Sequence, residues 1–219
     1  MYTIFGLIIL IMSAVIHEVS HGYVANALGD PTAKYAGRLT LNPLKHLDPF
    51  GSIILPLMLL VFRSPVIFGS AKPVPINPNN FKNSKRDTAI VGIAGPLSNF
   101  VIAFIFTVIL RFLPVNLSGA DILSDPINGM GIFLGIIVLF NIVLGVFNLI
   151  LVPPLDGSRI LMLVLPFRYQ RTLATLEAQP FFGIFISLFI AFYIVFPYII
   201  SPLISLALGK WAVLIFSVF

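Results

Sequence analysis

The sequence predicts an all-α polytopic membrane protein of four to six transmembrane helices, with a re-entrant segment and a short strand-like loop between the first two spans. Two observations carry that expectation. Of 219 residues, 58% are hydrophobic and only 10% are charged, with a mean hydropathy of +1.06. An ordinary soluble domain carries about a quarter charged residues, so this chain could not cover a soluble surface. Four apolar runs, 2–28, 88–113, 129–152 and 181–205, each reach the roughly 20 residues that a bilayer core demands. At this length the chain, 1–219, reads as a single membrane-embedded domain. It has no cysteine, which excludes disulfides, thiolate metal sites and a Cys nucleophile. The net charge of +5 belongs to basic loops, and no basic patch interleaved with aromatics points to nucleic acid.

The first run, 2–28, lacks a basic leader and a small-residue cleavage site, so it reads as a mature helix and not a removed signal peptide. The loop after it carries Lys34, Arg38 and Lys45, and within it Arg38, Leu39, Thr40 and Leu41 alternate as a short strand would over 37–42. The segment 52–68 is short, with Pro56 near its start and Arg63 near its end. The next loop is rich in Pro and Asn and holds Lys72, Lys82, Lys85 and Arg86. If 52–68 crossed the membrane, these two basic loops would face opposite sides. If it dips in and returns, 29–87 is all cytoplasmic, the loop 114–126 with Asp121 and Asp125 is outside, and the loop with Arg159, Arg168 and Arg171 is cytoplasmic again. The second topology obeys the positive-inside rule in every loop, and re-entrant backbone is tolerated where protein covers it. The last segment, 204–219, is interrupted by Gly209 and Lys210.

The chemistry lies in the first span. His17-Glu18-Val19-Ser20-His21 places two imidazoles four residues apart on one helix face, where both can reach one metal ion, with a carboxylate beside the first. Ionisable groups at membrane depth are costly and default to function; the structural alternative is a polar helix-packing cluster. Catalytic zinc takes three protein ligands and keeps a position for water. Among the remaining candidates, Asp121 and Asp125 fall in the external loop, Asp30 reads as a turn, Asp87 sits beside Lys85 and Arg86, and Glu177 lies in a basic stretch. Asp156 follows a spanning helix and Pro153-Pro154, and precedes Gly157. It reads as the third ligand, or alternatively as the N-cap of a short helix over 157–165. Parity favours the ligand: His21 and Asp156 both follow the C-terminal direction of their helices, so an odd number of spans must separate them, and 88–113 alone supplies one.

At these residues the chain resembles the site-2 protease family of intramembrane zinc metalloproteases, over most of its length. HEVSH is similar to the family's HExxH and Pro154-Leu155-Asp156-Gly157 to its LDG motif. Gly29-Asp-Pro-Thr-Ala, the run from Gly37 to Gly51, Ala71-Lys-Pro-Val-Pro-Ile-Asn77 and Ala94-Gly-Pro-Leu-Ser-Asn99 resemble the compact bacterial and archaeal branch without PDZ or CBS domains. The resemblance implies one Zn2+ on His17, His21 and Asp156, with Glu18 as general base. It also implies a transition-state or substrate contact for Asn148, whose other reading is packing on a helix face shared with Asn141 and Gly145. Asn99 reads as a structural polar residue between helices, and His46 as a loop histidine near the interface or, alternatively, a second metal contact.

The expected activity is hydrolysis of peptide bonds in or near transmembrane segments, as in regulated intramembrane proteolysis. The expected partners are single-span membrane proteins or remnant signal peptides within the lipid bilayer, and not nucleic acid. The enzyme is expected in the cell membrane with its active site toward the cytoplasm, and 37–42 is expected to pair with an extended substrate. A metal-ion transporter or channel using the same ligands is the alternative from another class. It leaves Glu18 unexplained, and a pore should repeat polar ligands along its length. An inactive scaffold is disfavoured because all four catalytic positions are filled.

Overall fold

A computed structural model describes residues 2–47, 72–114, 125–166 and 180–217. In chain order its elements are α1 (Tyr2–Ala27), a single turn α2 (Thr32–Tyr35), 3-10 turns at Pro43–Lys45 and Pro78–Asn80, α3 (Ser84–Phe112), α4 (Pro126–Asn148) and a short α5 (Gly157–Val164). Then α6 (Pro180–Ile190) continues through a π-helical stretch (Ala191–Ile200) into α7 (Ser201–Leu208), and α8 (Trp211–Phe216) follows. Among the described residues, four stretches are long and apolar enough to cross a membrane: α1, α3, α4 and the run Phe182–Leu208. The all-α polytopic class expected from composition is the class observed. The segment 52–68, on which the re-entrant expectation rests, lies outside the described residues.

Local chemistry sets the helix ends. Helix α3 starts at Ser84 because the Asn83 side chain accepts from the Arg86 amide at 3.1 Å. Helix α4 starts at Pro126 because Asp125 accepts from the Ile127 amide at 2.8 Å and Pro suits the first helical position.

Helices α1 and α3 turn small and polar residues inward and large apolar ones outward, whereas α4, α7 and α8 also bury Ile132, Ile136, Ile204, Leu208 and Ile215. On α1, Ile4, Leu7, Ile8 and Ile11 are exposed while Gly6, Ser13, His17, His21 and Gly22 are buried. On α3, Leu97, Val101, Phe104 and Val108 face out while Gly92, Gly95 and Asn99 face in. This is the pattern expected where lipid, not water, bathes the surface and small residues let helices approach.

Contacts along the helices give their directions. Phe5 packs edge-on against Phe133 with ring centroids 4.5 Å apart, Gly6 lies against Phe140, and Ser13 meets Asn141. Helices α1 and α4 therefore run parallel. His17 faces Asn99 and His21 faces Val91, so α3 runs antiparallel to both. One end of this bundle gathers the end of α1, the start of α3 and the turn after α4. At the other end, Trp211 and Ile215 of α8 lie over Gly131 and Gly135 of α4, and the Trp211 indole donates to the Leu110 carbonyl at 3.2 Å.

The loop after α1 differs from the sequence expectation. No strand forms over 37–42. Gly37, at φ +65°, ends a turn, the Asn42 side chain caps the following 3-10 turn, and His46 Nε2 contacts the Thr40 carbonyl at 2.8 Å, so the loop bonds to itself. The segment 72–77, which forms no helix or strand and whose prolines favour an extended path, is instead anchored at both ends. Lys72 donates its amide to the His46 carbonyl at 2.8 Å, and the buried Arg38 guanidinium reaches the Lys72 carbonyl at 2.6 Å. At the far end, Asp30 accepts from the Asn77 amide at 2.7 Å and the Asn80 side chain at 2.6 Å, and from the Thr32 hydroxyl and amide. Burial pushes the Asp30 carboxyl up, but the bonds from Thr32, Asn77 and Asn80 outweigh it and hold its pKa below the usual carboxylate range.

Candidate metal centre

His17 and His21 stand one helical turn apart on the buried face of α1. Opposite them, the chain leaves α4 at Asn148 and winds through 149–156 before entering α5. Asp156 occupies the N-cap position of α5, yet its side chain makes no cap bond. The carboxylate turns to the histidines instead: Oδ2 lies 2.9 Å from His17 Nε2 and 3.1 Å from His21 Nε2, and the two Nε2 atoms are 3.1 Å apart. All three residues are buried. Among the described residues this is the group of metal-ligating side chains that could hold an ion.

The proton positions show what the trio needs. His21 Nδ1 lies 2.6 Å from the Val91 carbonyl, which can only accept, so Nδ1 carries the proton. His17 Nδ1 lies 2.6 Å from Asn99 Oδ1 and donates to it. Both Nε2 atoms therefore present lone pairs to each other and to Asp156 Oδ2. Three acceptors so close in a buried site repel one another unless a cation sits among them. Their separations are close to the roughly 3.3 Å edges of a tetrahedron built on zinc–ligand bonds of about 2.0–2.1 Å. Gly95 supplies the room, because a Cβ there would press on both Nε2 atoms. Two imidazoles with outward Nδ1 donors and one carboxylate are the donor set of a catalytic zinc.

Around the trio, Arg159 Nη1 approaches Asp156 Oδ1 at 3.9 Å, and Gly92 lets α3 close on the Asp156 turn. Glu18, partly buried, points to the segment 72–77, where its Oε2 accepts from the Val74 amide at 2.8 Å. Val74 sits between Pro73 and Pro75, which have no N–H, so it holds the one backbone donor of that tripeptide.

The structure gathers His17, His21 and Asp156, with Glu18 next along the helix. Asn99, expected only between helices, touches the metal-facing imidazole and also donates to Asn141 at 2.8 Å. Asn148 donates to the Leu144 carbonyl of its own helix at 3.0 Å and makes no bond to the three ligands. His46 is buried in its loop, outside the cluster. Sequence reasoning missed the Val91 carbonyl and the Val74 amide. The only trace of the latter was the Pro-Val-Pro pattern.

Comparison with known proteins places these features in a lineage. The description "Peptidase family M50" matches residues 5–196. The chain is 39% identical over 198 residues to the putative zinc metalloprotease YwhC of Bacillus subtilis, covering 90% of this chain and 84% of that one. It is 32% identical over 168 residues to the putative zinc metalloprotease Rip2 of Mycolicibacterium smegmatis, covering 75% and 58%. It is 28% identical over 162 residues to the zinc metalloprotease MJ0392 of Methanocaldococcus jannaschii, covering 74% and 34%. No solved structure matches.

Proposed function

The chain belongs to peptidase family M50, and from that premise we propose that it is an intramembrane zinc metalloprotease that cuts peptide bonds in or near transmembrane segments of other membrane proteins. The observation that carries this reading is the buried trio of His17, His21 and Asp156 with a carboxylate, Glu18, on the same turn of helix. His17, His21 and Asp156 hold the metal. Zinc supplies, when bound, the Lewis acidity that eases deprotonation of water and polarises a carbonyl. Glu18 takes the proton from the attacking water and passes it to the departing amine. Its Oε2 accepts from the Val74 amide, which restrains the carboxylate, and Oε1 would be the oxygen that takes the proton. Asn148 lies at the end of α4, eight residues before Asp156, and serves the substrate carbonyl only if its amide leaves the Leu144 carbonyl.

Substrates are single-span membrane proteins or leftover signal peptides, whose helix must unwind before its carbonyls can be reached. The active site faces the cytoplasm of a cell membrane. Supporting this side, Lys34, Lys45, Lys72, Lys82, Lys85 and Arg86 all lie in the loops and helix start at the metal-bearing end. The metal-transport alternative gains no support: the polar groups deeper in the bundle, Asn99, Asn141 and Ser13, bond to one another.

The test is Glu18→Gln assayed on a single-span substrate in detergent or liposomes. Zinc stays bound and cleavage stops. Persisting cleavage, or metal flux across liposomes that survives the substitution, defeats the reading.

A further inference from the structure

A line of buried side chains leads away from His17 into the bundle. His17 Nδ1 meets Asn99 Oδ1 at 2.6 Å, Asn99 Nδ2 donates to Asn141 Oδ1 at 2.8 Å, and Asn141 Nδ2 donates to Ser13 Oγ and to the Ile137 carbonyl, each at 2.9 Å. Asn99 and Asn141 are fully buried, and the line joins α3, α4 and α1.

The direction of this line is forced from its far end. The Ile137 carbonyl can only accept, so the Asn141 atom facing it must be the NH2 group. Asn141 therefore offers its oxygen to Asn99, Asn99 must answer with its own NH2, and the oxygen of Asn99 is left facing His17. That oxygen accepts only, so the His17 proton sits on Nδ1 and the Nε2 lone pair faces the metal site. A Ser hydroxyl can donate or accept and could not impose this order.

We propose that Asn141 is a positioning residue of the metal centre, which acts through Asn99 to hold His17 in the tautomer that offers Nε2 to zinc. The inference rests on the zinc reading above. Outer partners that fix an imidazole in this way are worth about 10–100-fold in metal affinity.

The chain has three histidines, His17, His21 and His46, so imidazole nitrogens labelled with 15N give a short, assignable spectrum. Wild type, Asn141→Leu and Ser13→Ala are compared in detergent. The metal-free proteins are read by 15N NMR at mildly alkaline pH, and zinc affinity by competition with a chelator. Asn141→Ala takes the place of Asn141→Leu if that variant does not fold. The expected result is that the Asn141 variant shows His17 with mixed Nδ1–H and Nε2–H signals and zinc weakened by at least about tenfold. His21, held by Val91, keeps its pattern. Ser13→Ala keeps both the His17 pattern and the zinc affinity, because Ile137 still orders the line. If the Asn141 variant loses thermal stability alone, with His17 signals and zinc affinity unchanged, Asn141 is a packing residue and the proposal falls. It falls as well if Ser13→Ala scrambles the tautomer equally. Failure of the protease reading shows separately, as a zinc-binding wild type that cleaves no membrane substrate.

Discussion

The two ends of the bundle are joined by different means. At the metal end, hydrogen bonds join His17 to Asn99, Asn99 to Asn141 and His21 to the Val91 carbonyl, and the turn after α4 sets Asp156 Oδ2 at 2.9 and 3.1 Å from the two Nε2 atoms. At the other end, α4 meets α8 through shape: Trp211 and Ile215 fill the hollows over Gly131 and Gly135. Apolar packing tolerates small shifts, since dispersion is non-directional. A hydrogen-bonded imidazole tolerates few, because a misplaced acceptor moves a proton. The protein concentrates directional contacts where chemistry needs fixed atoms and relies mostly on steric contacts at the other end, the Trp211 indole bonded to the Leu110 carbonyl aside.

Substitutions at each end sharpen this contrast. Asp156→Asn has the largest effect. It removes the anionic ligand and leaves two imidazole lone pairs unbalanced. Stoichiometric zinc disappears from the purified protein, and cleavage of a single-span substrate falls to background. Gly95→Ala comes next, because its methyl group presses on both Nε2 atoms. Zinc affinity measured by chelator competition drops by more than the 10–100-fold typical of outer-shell changes.

Val74→Pro deletes the amide that holds Glu18. A hydrogen bond to a charged group is worth about 1.5–3 kcal/mol, so kcat falls about tenfold or more. Zinc content stays at wild-type level, and an unchanged kcat removes Val74 from the catalytic argument. At the opposite end, Gly135→Ala forces Ile215 aside and costs about 1–3 kcal/mol by overpacking. It appears as a lower Tm in detergent with unaltered zinc affinity per folded molecule. If Gly135→Ala weakens zinc as Gly95→Ala does, the two ends of the bundle are coupled.

The smallest effect concerns Asp30. Its pKa is lowered in the folded protein, so its contribution is complete above the unfolded carboxylate value of about 3.9 and is lost as pH falls below it. The wild-type Tm therefore falls more steeply through that acidic window than that of Asp30→Asn, which starts lower and titrates less. Parallel curves would show that the carboxylate charge contributes nothing.

Much of the fold and the centre of the site could be read from residue types. Long apolar runs mark the spans because lipid thickness imposes length. His17, Glu18 and His21 declare themselves because a helix repeats every turn, and Asp156 stands out beside a proline break. Other parts were hidden for physical reasons. Every residue carries a carbonyl and nearly every one an amide, so nothing in the letters marks Val91 or Val74. Asn99 looked like packing because an amide between helices serves either role, and only its 2.6 Å approach to His17 distinguishes them. The alternation at 37–42 suggested a strand, but pairing depends on neighbours, and Asn42, His46 and Arg38 bond elsewhere.

The tether between Glu18 and Val74 divides the labour of the molecule between two pieces of chain. Helix α1 and the turn after α4 bring together the three candidate ligands without the segment 72–77. The Glu18 carboxylate is held by a short stretch outside them, fastened by Arg38 at one end and Asp30 at the other. Nicking the backbone between Lys72 and Asn77 should therefore leave a zinc-loaded protein that has forgotten how to cut.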